Sequence, residues 1–501
     1  MHLIQAHHIH FSCHEKNIAM TVKEQLPILL RQEFYPKLET LLDRYDVRDQ
    51  VCEIASLPIT IRVHDIKAWK QEIVRKSLDQ IALFLEAKSL QFSNTTEEQN
   101  SNEDNQITIQ SHKSYVQKLL LDYVQTGAIP SNSLHFGLKE IYEEIVIDEE
   151  FVKKLKRVCH TDNKTVLRWY LNIPKVLKQE VIAKALVNDL GKERVIITIT
   201  NIITEALKEK NARLKKRIKK YVEFLFWNYV LQDQKTLNFS EIRTISTIGK
   251  EHFEIPHSLF VALVKKYTHI EIKEISFFEK YVVEIAEKVL ERQKPSFVDT
   301  TVLEKFNALQ KDQKAKEESI PATEQFSETE IIESSGSYIN NAGLVLLHPF
   351  LFTLFDRLGY VEQQQWKSKQ LQHKAVLLTQ YLVCFDQEVF ENELLFNKLL
   401  CGVPFEEPIA TDWMITEDER KQCRSLLTSV IEHWKILKNT SPEGLQHSFL
   451  QREGKLKKLK NGNYQLHVAQ TGIDVLLDQL PWGLGMFKTP WMDCFVDCIW
   501  N

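Results

Sequence analysis

The sequence predicts a mainly α-helical protein with small β elements, an α+β fold, and three observations favour this class. Glycine and proline are scarce, with 14 of each among 501 residues. Leu, Ile, Lys and Glu are abundant, and this balance favours helices over an all-β protein. Apolar residues also recur at helical spacing along most of the chain. At 43% hydrophobic residues the chain can bury a sizeable core, and its length suggests about two to four domains.

Charge and cysteine usage exclude several function classes. Lys and Arg total 64 against 68 Asp and Glu, so the net charge of -4 provides no field that attracts nucleic acid, and we expect no nucleic-acid partner. No apolar run reaches the length of a membrane span, so we expect no stable membrane insertion. The start of the chain lacks a secretory signal pattern and the eight cysteines include no CxxC pair, which predicts reduced thiols and a cytosolic protein.

Residues 1–92 are predicted to form a small β-α-β-α module. Branched and aromatic residues alternate with polar ones over residues 3–12, which predicts a strand. Apolar residues at helical spacing predict a helix over 18–45, with Pro27 and Pro36 at kinks or early-turn positions. Alternation over 57–64 predicts a second strand, and a helix follows over 66–87.

Histidines crowd the start of this module and raise the question of a metal site: His2, His7, His8, His10 and His14. His8 and His10 would share one face of a strand, a spacing that can chelate. No carboxylate or thiol stands at ligand spacing, so solvated histidines are the favoured interpretation, and we predict no metal and no cofactor.

Two polar segments divide the rest of the chain. Residues 93–112 are predicted to be a polar linker, and residues 293–336 a low-complexity linker that contains a helix at 299–313. Between them, 113–292 is predicted to be a helical middle region. It opens with the amphipathic helix SYVQKLLLDYVQTGAIP, which Gly127 and Pro130 end. Further helices are expected at 138–158, 163–171, 174–190, 197–230, 255–267 and 270–292.

The sharpest charge run, Lys208 to Lys220, offers two interpretations. A nucleic-acid patch is the functional one. The run contains only Leu214 and Ile218 as apolar residues and leads into Tyr221 to Trp227. Because the surrounding region is not basic, a solvated helix face that continues into a buried aromatic segment is the favoured interpretation.

Residues 337–501 are predicted to form a helical C-terminal domain with a β-hairpin. It opens with SYINNAGLVLLHPFL, the most apolar run of the chain, in which His348-Pro349 is expected to stop a buried core segment. Helices follow in LFTLFDRLGY, KAVLLTQYLVCF, ELLFNKLLCGVP and ERKQCRSLLTSVIEHWKIL. Thr416 and Glu419 form a capping box before the last of these. In KLKKLKNGNYQLHV, Asn461-Gly462 predicts the positive φ angles of a tight hairpin turn.

Signals for an enzyme are weak, and we predict a protein without catalytic residues. The sequence contains no GxxxxGK[ST], GxGxxG, GxSxG or HExxH motif. His348, Asp474 and Asp478 could be combined into an acid-base set, but a helix-end histidine and a solvated face explain them more simply. Cys494 and Cys498 would share one side of a helix, which is at most half of a metal site.

Five segments of the C-terminal domain together resemble one family, the contractile injection system tape measure proteins of phage-tail-like particles. They are YINNAGLVLLHPFL (338–351), ENELLFNKLLCGVP (391–404), HWKILKNTSPEGLQHSFLQREGKL (433–456), and DVLLDQLPWGL (474–484) with KTPWM (488–492). Several gapped matches in one order are far more specific than a single motif. At the front, HIHF, LPILLRQEFYPKLETLLDRYD, ITIRV and YVQKLLLDYVQTGAIP are similar to the family more loosely.

The candidate residues that the resemblance marks are motif or structural positions with no chemistry assigned. They are Tyr338, Asn340, Asn341, Gly343, His348, Pro349, Asn397, Lys398, Leu399, Cys401, Gly402, Pro404, Trp434, Asn439, Thr440, Gly444, Leu450, Gln451, Arg452, Gly454, Asp478, Gln479, Pro481, Trp482, Pro490 and Trp491. For Trp482, Trp491 and Trp500, both docking on a partner and closure of the domain's own core remain open.

The resemblance implies a structural or assembly protein that acts in tube-length control or in tube and baseplate assembly. Its expected partners are the inner tube, a tube initiator or baseplate and spike components, with further copies of itself in the particle. The expected location is the cytoplasm during assembly and then the lumen of the particle. The alternative is an adaptor that docks these parts without acting as a ruler, and an uncharacterised hydrolase is the less favoured class. A single helix of the roughly 180 middle residues would span at most ~270 Å, but prolines and glycines interrupt this region and favour packed short helices.

Overall fold

The structure is a computed structural model that describes residues 2–4, 7–13, 16–46, 49–63, 67–92, 107–130, 133, 137–160, 162–185, 192–232, 239–267, 277–291, 336–437 and 439–500. The chain divides into two compact units. The N-terminal unit comprises residues 1–120 with 131–146, and the C-terminal unit comprises residues 121–130 with 147–501. Helices dominate and the sheets are small, which confirms the predicted fold class.

The first elements form a helical core beside a two-stranded sheet. They are α1 (Lys16–Leu29), a π-helical turn (Leu30–Phe34), α2 (Tyr35–Leu42), β1 (Gln50–Ile54), α3 (Trp69–Phe92), β2 (Ile107–Ser111), α4 (His112–Thr126) and α5 (Leu138–Glu144). Apolar side chains of α1, α2 and α3 share one buried cluster. The predicted helices at 18–45 and 66–87 are therefore present. The π-helical turn lies directly before Pro36, which has no backbone N–H to donate.

Both strands predicted for this module are wrong. The described residues of 3–12 and of 57–63 have no regular secondary structure. In the second segment, the carbonyl oxygens of Arg62 and Thr60 instead accept hydrogen bonds from the side chains of Lys76 and Gln80 in α3. The strand that does form is β1, which pairs antiparallel with β2. Since β2 covers 107–111, the end of the predicted polar linker is a strand, and its residues 93–106 lie outside the described residues.

The middle helices are α6 (Glu149–His160), α7 (Asn163–Asn172), α8 (Lys175–Ala185), α9 (Lys192–Ala206), α10 (Ala212–Gln232), α11 (Phe239–Phe253), α12 (His257–Tyr267) and α13 (Phe277–Glu291). The predicted helices at 138–158 and 197–230 are each divided in two. Helix α11 was not predicted, although Ile242, Ile245 and Ile248 recur on one buried side of it. The predicted helix at 299–313 lies outside the described residues.

Helix α10 carries most of the basic run and explains it. Its first turns expose Arg213, Lys215 and Lys216, whereas Ile218 and the aromatic residues from Tyr221 onward are buried. Gly249 of α11 allows the close contact there, because a Cβ atom at Gly249 would lie 2.8 Å from the ring of Tyr221. The structure thus agrees with the solvated-face interpretation.

The last part of the chain forms helices packed on one sheet. The elements are β3 (Ser337–Ile339), a 3₁₀ helix (Ala342–Leu347), α14 (His348–Arg357), β4 (Val361–Glu362), β5 (Gln365–Trp366), α15 (Lys369–Val383), a 3₁₀ turn (Glu391–Leu394), α16 (Leu395–Leu400), α17 (Glu417–His433), a 3₁₀ turn (Lys435–Leu437), α18 (Pro442–Leu445), a π-helical turn (Gln446–Leu450), β6 (Gly454–Lys458), β7 (Tyr464–Val468), a 3₁₀ helix (Gly472–Gln479), β8 (Met486–Phe487) and β9 (Val496–Ile499). The sheet order is β3-β6-β7-β9-β8, and only β7 and β9 pair in parallel within it.

Two local predictions here need correction. His348-Pro349 begins a helix and does not stop one, because proline is tolerated in the first helical turn, where its missing N–H has no partner to lose. The predicted hairpin is present as β6 and β7, but only Gly462 has a positive φ, of +82°. Asn461 instead accepts a hydrogen bond from the backbone N–H of Asn463. The capping box of Thr416 and Glu419 is present as predicted.

Candidate functional site

Asn341 and Asn397, two of the motif residues, meet in a buried amide network. The side-chain amide of Asn341 donates to Oε1 of Gln380 at 2.9 Å and to Oδ1 of Asn397 at 2.7 Å. Asn397 donates in turn to Oγ1 of Thr379 at 2.9 Å. All four side chains are buried, and buried amides that pair with one another hold their segments in register. The network therefore fixes the 3₁₀ helix that begins at 342 against α15 and α16.

Two motif glycines permit contacts that no larger residue allows. A Cβ atom at Gly343 would lie 1.6 Å from the carbonyl oxygen of Phe449. Gly402 has a φ of +65°, and a Cβ atom there would lie 2.3 Å from the carbonyl oxygen of Trp491. Both glycines are thus required for backbone-to-backbone packing in the core.

Lys398, a further motif residue, belongs to a buried charge cluster around Glu391. The Nζ atom of Lys398 lies 2.8 Å from Oε1 of Glu391, and Nε of Arg168 lies 3.2 Å from Oε2. Tyr123 and Asn172 also donate to Oε2, at 3.1 and 2.7 Å. Burial lowers the pKa of Lys398, and the Glu391 carboxylate opposes part of that effect. Helix α7 is held against the C-terminal motifs by this cluster.

The two terminal nitrogens of Arg168, Nη1 and Nη2, donate hydrogen bonds to backbone carbonyls. Its Nη1 donates to the carbonyl of Val124 at 2.8 Å and of Gln125 at 3.0 Å, and its Nη2 donates to the carbonyl of Glu406. Arg168 is only 1% exposed. A fully bonded, buried arginine is a structural anchor, so the cluster has a packing role.

The tryptophans of the C-terminal tail close the domain's own core. Trp482 donates its indole N–H to the carbonyl of Leu346 at 3.1 Å, and Trp491 donates to the carbonyl of Leu400 at 2.6 Å. Trp500 is buried and donates to Asp474 at 3.1 Å. The indole N–H groups of these tryptophans are thus hydrogen-bonded within the chain, and much of each ring packs against the domain's own residues.

Asp474 is bound in a structural ion pair. Both of its oxygens accept hydrogen bonds from Nη2 of Arg452, at 2.8 and 2.6 Å. Burial opposes ionisation of this carboxyl, but the hydrogen bonds from Arg452, Thr471 and Trp500 outweigh that effect and lower the pKa of Asp474. His348 packs on the ring of Phe487 with 4.4 Å between centroids. His348 and Asp474 are therefore engaged in separate structural contacts, and Asp478 is exposed.

The remaining motif residues occupy buried and exposed positions. Leu399, Cys401, Trp434, Leu450 and Gly454 are buried, and His348, Thr440, Gly444 and Gln451 are partly buried. The exposed members are Tyr338, Asn340, Pro349, Pro404, Asn439, Asp478, Gln479, Pro481 and Pro490. Cys498 lies on strand β9 and Cys494 in the loop before it, so the two cysteines do not share a helix.

A cavity that the sequence did not indicate lies between α11, α15 and the loop after α16, and several charged residues contribute to its wall. Its volume is about 160 Å³, and Glu251, His252 and Glu407 contribute to its wall. One possible ligand atom from each of these three side chains lies within 4.8 Å of the others. Glu251 and His252 are adjacent in a helix that was not predicted, and Glu407 follows 155 residues later. Spacing along the chain therefore carried no signal for this site.

Lysines neutralise the carboxylates of this cavity. Nζ of Lys369 lies 2.6 Å from Glu251 and 2.8 Å from Glu407, and Nζ of Lys164 lies 3.1 Å from Glu407. Nε2 of His252 lies 3.0 Å from Oε1 of Glu407. Burial alone would raise the pKa of Glu407, but the hydrogen bonds from His252 and Lys369 lower it well below its usual range.

His373 adjoins the cavity and has an unsatisfied ring nitrogen. The side chain is 3% exposed, and its Nε2 has no hydrogen-bond partner. Its ring centroid lies 5.1 Å from that of His252. Burial, aided by the nearby His252, lowers the pKa of His373 to about 3. At neutral pH this imidazole is therefore uncharged, and its Nε2 lacks a hydrogen-bond partner.

An apolar surface segment is the second feature open to a partner. The 3₁₀ helix Gly472–Gln479 has no buried residue. Val475 is 67% exposed and Ile473 38%, and Met486 in the edge strand β8 is 70% exposed. We call residues 472–486 the tail surface segment.

The relation of the chain to known proteins follows from its whole length. No helix among the described residues is long and apolar enough to span a membrane. Comparisons with curated proteins and with solved structures gave no match. The model of one family, the contractile injection system tape measure proteins, matches residues 1–500. The chain therefore belongs to the contractile injection system tape measure protein family.

Proposed function

We propose that this chain acts in assembly of the particle's tube and baseplate, and that its C-terminal unit docks on a tube or baseplate protein. Membership in the tape measure family supports a structural role in the particle. The same role is consistent with the motif residues, whose contacts are packing contacts. The observation that carries the docking proposal is the tail surface segment, which exposes Val475 and Met486.

Exposed apolar side chains in an ordered segment fit a protein partner. Apolar residues in the centre of an interface supply most of its binding energy, because contact with the partner removes them from water. Trp482 anchors this segment to the rest of the domain, since its ring packs edge-on against Phe350 with 5.0 Å between centroids. A rigid support lowers the entropy cost of binding.

Packing of the middle helices favours an adaptor over an extended ruler. Arg168 of α7 is paired with Glu391, and Lys369 of α15 is paired with Glu251 of α11. If the middle region extended into a rod, the buried pair of Arg168 and Glu391 would separate. Loss of one partner from a buried ion pair costs about 3–5 kcal/mol in the free energy of unfolding. The aromatic core of α10 would also become exposed.

Control of tube length is the second candidate function, and the family's description favours it. Under this proposal, the polypeptide lies in the lumen of the growing tube and the tube stops where the polypeptide ends. The inner tube would then be the partner along the whole middle region, and further copies of the chain could lie beside it. The protein would be made and assembled in the cytoplasm under either proposal.

One insertion distinguishes the two candidates. A helical segment of about 40 residues, placed within the predicted linker 293–335, would add roughly 60 Å to an extended ruler. Particles would then be longer in electron micrographs if the chain sets tube length. The adaptor proposal expects tubes of unchanged length and normal number.

A surface variant tests docking directly. Val475→Asp with Met486→Asp should reduce the number of particles without changing the melting temperature of the purified protein. Met414→Asp is the matched control, because Met414 is 85% exposed and lies outside the tail surface segment. Normal particle numbers in the double variant would contradict the docking proposal.

A further inference from the structure

We propose that the cavity between α11 and α15 binds a divalent transition-metal ion, with Glu251, His252 and Glu407 as ligands and His373 as a supporting nitrogen donor. Nothing in the assembly role of the chain requires this site. Imidazole together with carboxylate oxygens is a donor set that suits Zn²⁺ and its neighbours in the first transition row.

The spacing of the donor atoms fits one ion. Two atoms that each lie about 2.1 Å from an ion are roughly 3.0 to 3.4 Å apart in octahedral or tetrahedral geometry. Nε2 of His252 and Oε1 of Glu407 are 3.0 Å apart. The group that includes Glu251 spans no more than 4.8 Å, so a small side-chain rotation closes it around an ion.

His373 is the observation that a pure ion-pair network leaves unexplained. In such a network Glu407 is already satisfied by His252, Lys164 and Lys369. The buried Nε2 of His373 has no partner, and an unsatisfied buried polar atom costs about 1–3 kcal/mol. A metal ion held at this site would give that nitrogen a partner.

His373 lies beside the ring of His252 and on the same helix as Lys369. His373 and Lys369 are four residues apart on α15, so their side chains lie on one face, and helical side chains lean toward the N-terminus. Because of this lean, the side chain of His373 extends toward the helical turn that contains Lys369. The ammonium group of Lys369 contacts both carboxylates. The ring of His252 is its neighbour there.

The ammonium group of Lys369 lies between the two carboxylates that would bind the ion. Its ammonium group bridges Glu251 and Glu407 at 2.6 and 2.8 Å, and its side chain is 31% exposed, which leaves room to move outward. Binding of the ion would release the ammonium group to solvent and replace the contact between His252 and Glu407 with a bond from each side chain to the ion. The ion's two positive charges would then balance the two carboxylates.

Titration of the full-length, chelator-treated protein with Zn²⁺ and with Co²⁺ tests the site. His8→Ala and His10→Ala should be present in every sample, so that the N-terminal histidines do not compete. We expect one ion per chain by calorimetry and a cobalt absorption spectrum that reports nitrogen and oxygen ligands. His252→Ala should abolish binding, and His373→Gln should weaken it by about 10- to 100-fold.

Lys369→Met is the decisive variant, because removal of the competing ammonium group should tighten metal binding severalfold. A structural ion-pair network expects this variant to lose stability and to bind no ion. Absence of stoichiometric Zn²⁺ binding in both the parent and Lys369→Met would overturn the proposal. Binding that His252→Ala and Glu407→Gln leave unchanged in folded protein would do the same. Circular dichroism of each variant verifies folding.

Discussion

Arg168 and Glu391 are 223 residues apart in the chain, and Nε of the arginine lies 3.2 Å from Oε2 of the glutamate in the core of the C-terminal unit. The two side chains are 1% and 0% exposed. Lys398 completes the group at 2.8 Å from the other carboxylate oxygen. This contact joins the middle helices to the motifs that carry the family resemblance.

Removal of the carboxylate should therefore be strongly destabilising. Glu391→Ala leaves Arg168 and Lys398 as buried charges without an acidic partner, so we expect a loss of about 3–5 kcal/mol in the free energy of unfolding. Chemical denaturation measures this value. The exposed pair of Arg424 and Glu443 provides the control, because solvent screens this pair and Glu443→Ala should leave the free energy of unfolding nearly unchanged. Similar losses in both variants would contradict the anchoring role of Glu391.

The motif glycines should tolerate no side chain. At Gly343 a Cβ atom would overlap the carbonyl of Phe449, so Gly343→Ala should cost at least about 1–3 kcal/mol through displaced backbone. Gly402→Ala adds the penalty of a positive φ. Gly472→Ala is the matched control, because no atom lies within 4 Å of its Cβ position, and it should change stability by less than about 0.5 kcal/mol. Melting temperatures of the three variants are the measurement.

Local features of the fold were predictable because short stretches of sequence determine them. The capping box at Thr416 needs only two residues three positions apart. The β6–β7 hairpin follows from Asn461-Gly462 and from the alternation of Tyr464, Leu466 and Val468 after the turn. The buried run before His348 was evident from composition, although its 3₁₀ conformation was not.

Non-local contacts were not predictable from one sequence. Strand β9 has four residues and is defined by parallel pairing with β7, such as Leu466 opposite Cys498, and no periodicity shows such pairing. The alternation at 57–64 predicted a strand, but Gln80 and Lys76 of α3 donate hydrogen bonds to the carbonyls of Thr60 and Arg62. The cavity around Glu407 needs three distant segments, so its donor set becomes visible only in three dimensions.

The buried carboxyl of Glu419 should make stability depend on pH. Burial would raise the pKa of Glu419, but bonds from Lys374, Tyr360 and Thr416 outweigh burial and hold it below its usual 4.5. A carboxyl with a lowered folded-state pKa contributes stability that is present above pH 4.5 and is lost as the pH falls toward the folded-state value. Glu419→Gln should thus lower the melting temperature more at pH 7 than at pH 3.5. An equal effect at both pH values would argue against an ionised Glu419.

Substitution of the tail tryptophans should affect stability before it affects docking. Trp491 donates to the carbonyl of Leu400, and its ring lies 4.5 Å from that of Trp366. Trp491→Phe removes the hydrogen bond and leaves a partly buried carbonyl with one donor fewer, so we expect a loss of about 1–2 kcal/mol. Trp491→Ala should cost about 3–5 kcal/mol.

Particle counts at two temperatures separate the roles of these residues. If Trp491 serves only the core, the Trp491→Phe variant should form a normal number of particles at low temperature, where the variant stays folded. Near the melting temperature of the variant, it should form fewer particles. A docking tryptophan predicts equally low particle numbers at both temperatures. Val475→Asp with Met486→Asp should behave in the second way, because these side chains are exposed and contribute little to the core. The two temperature profiles therefore assign stability to the indole rings and docking to the tail surface segment.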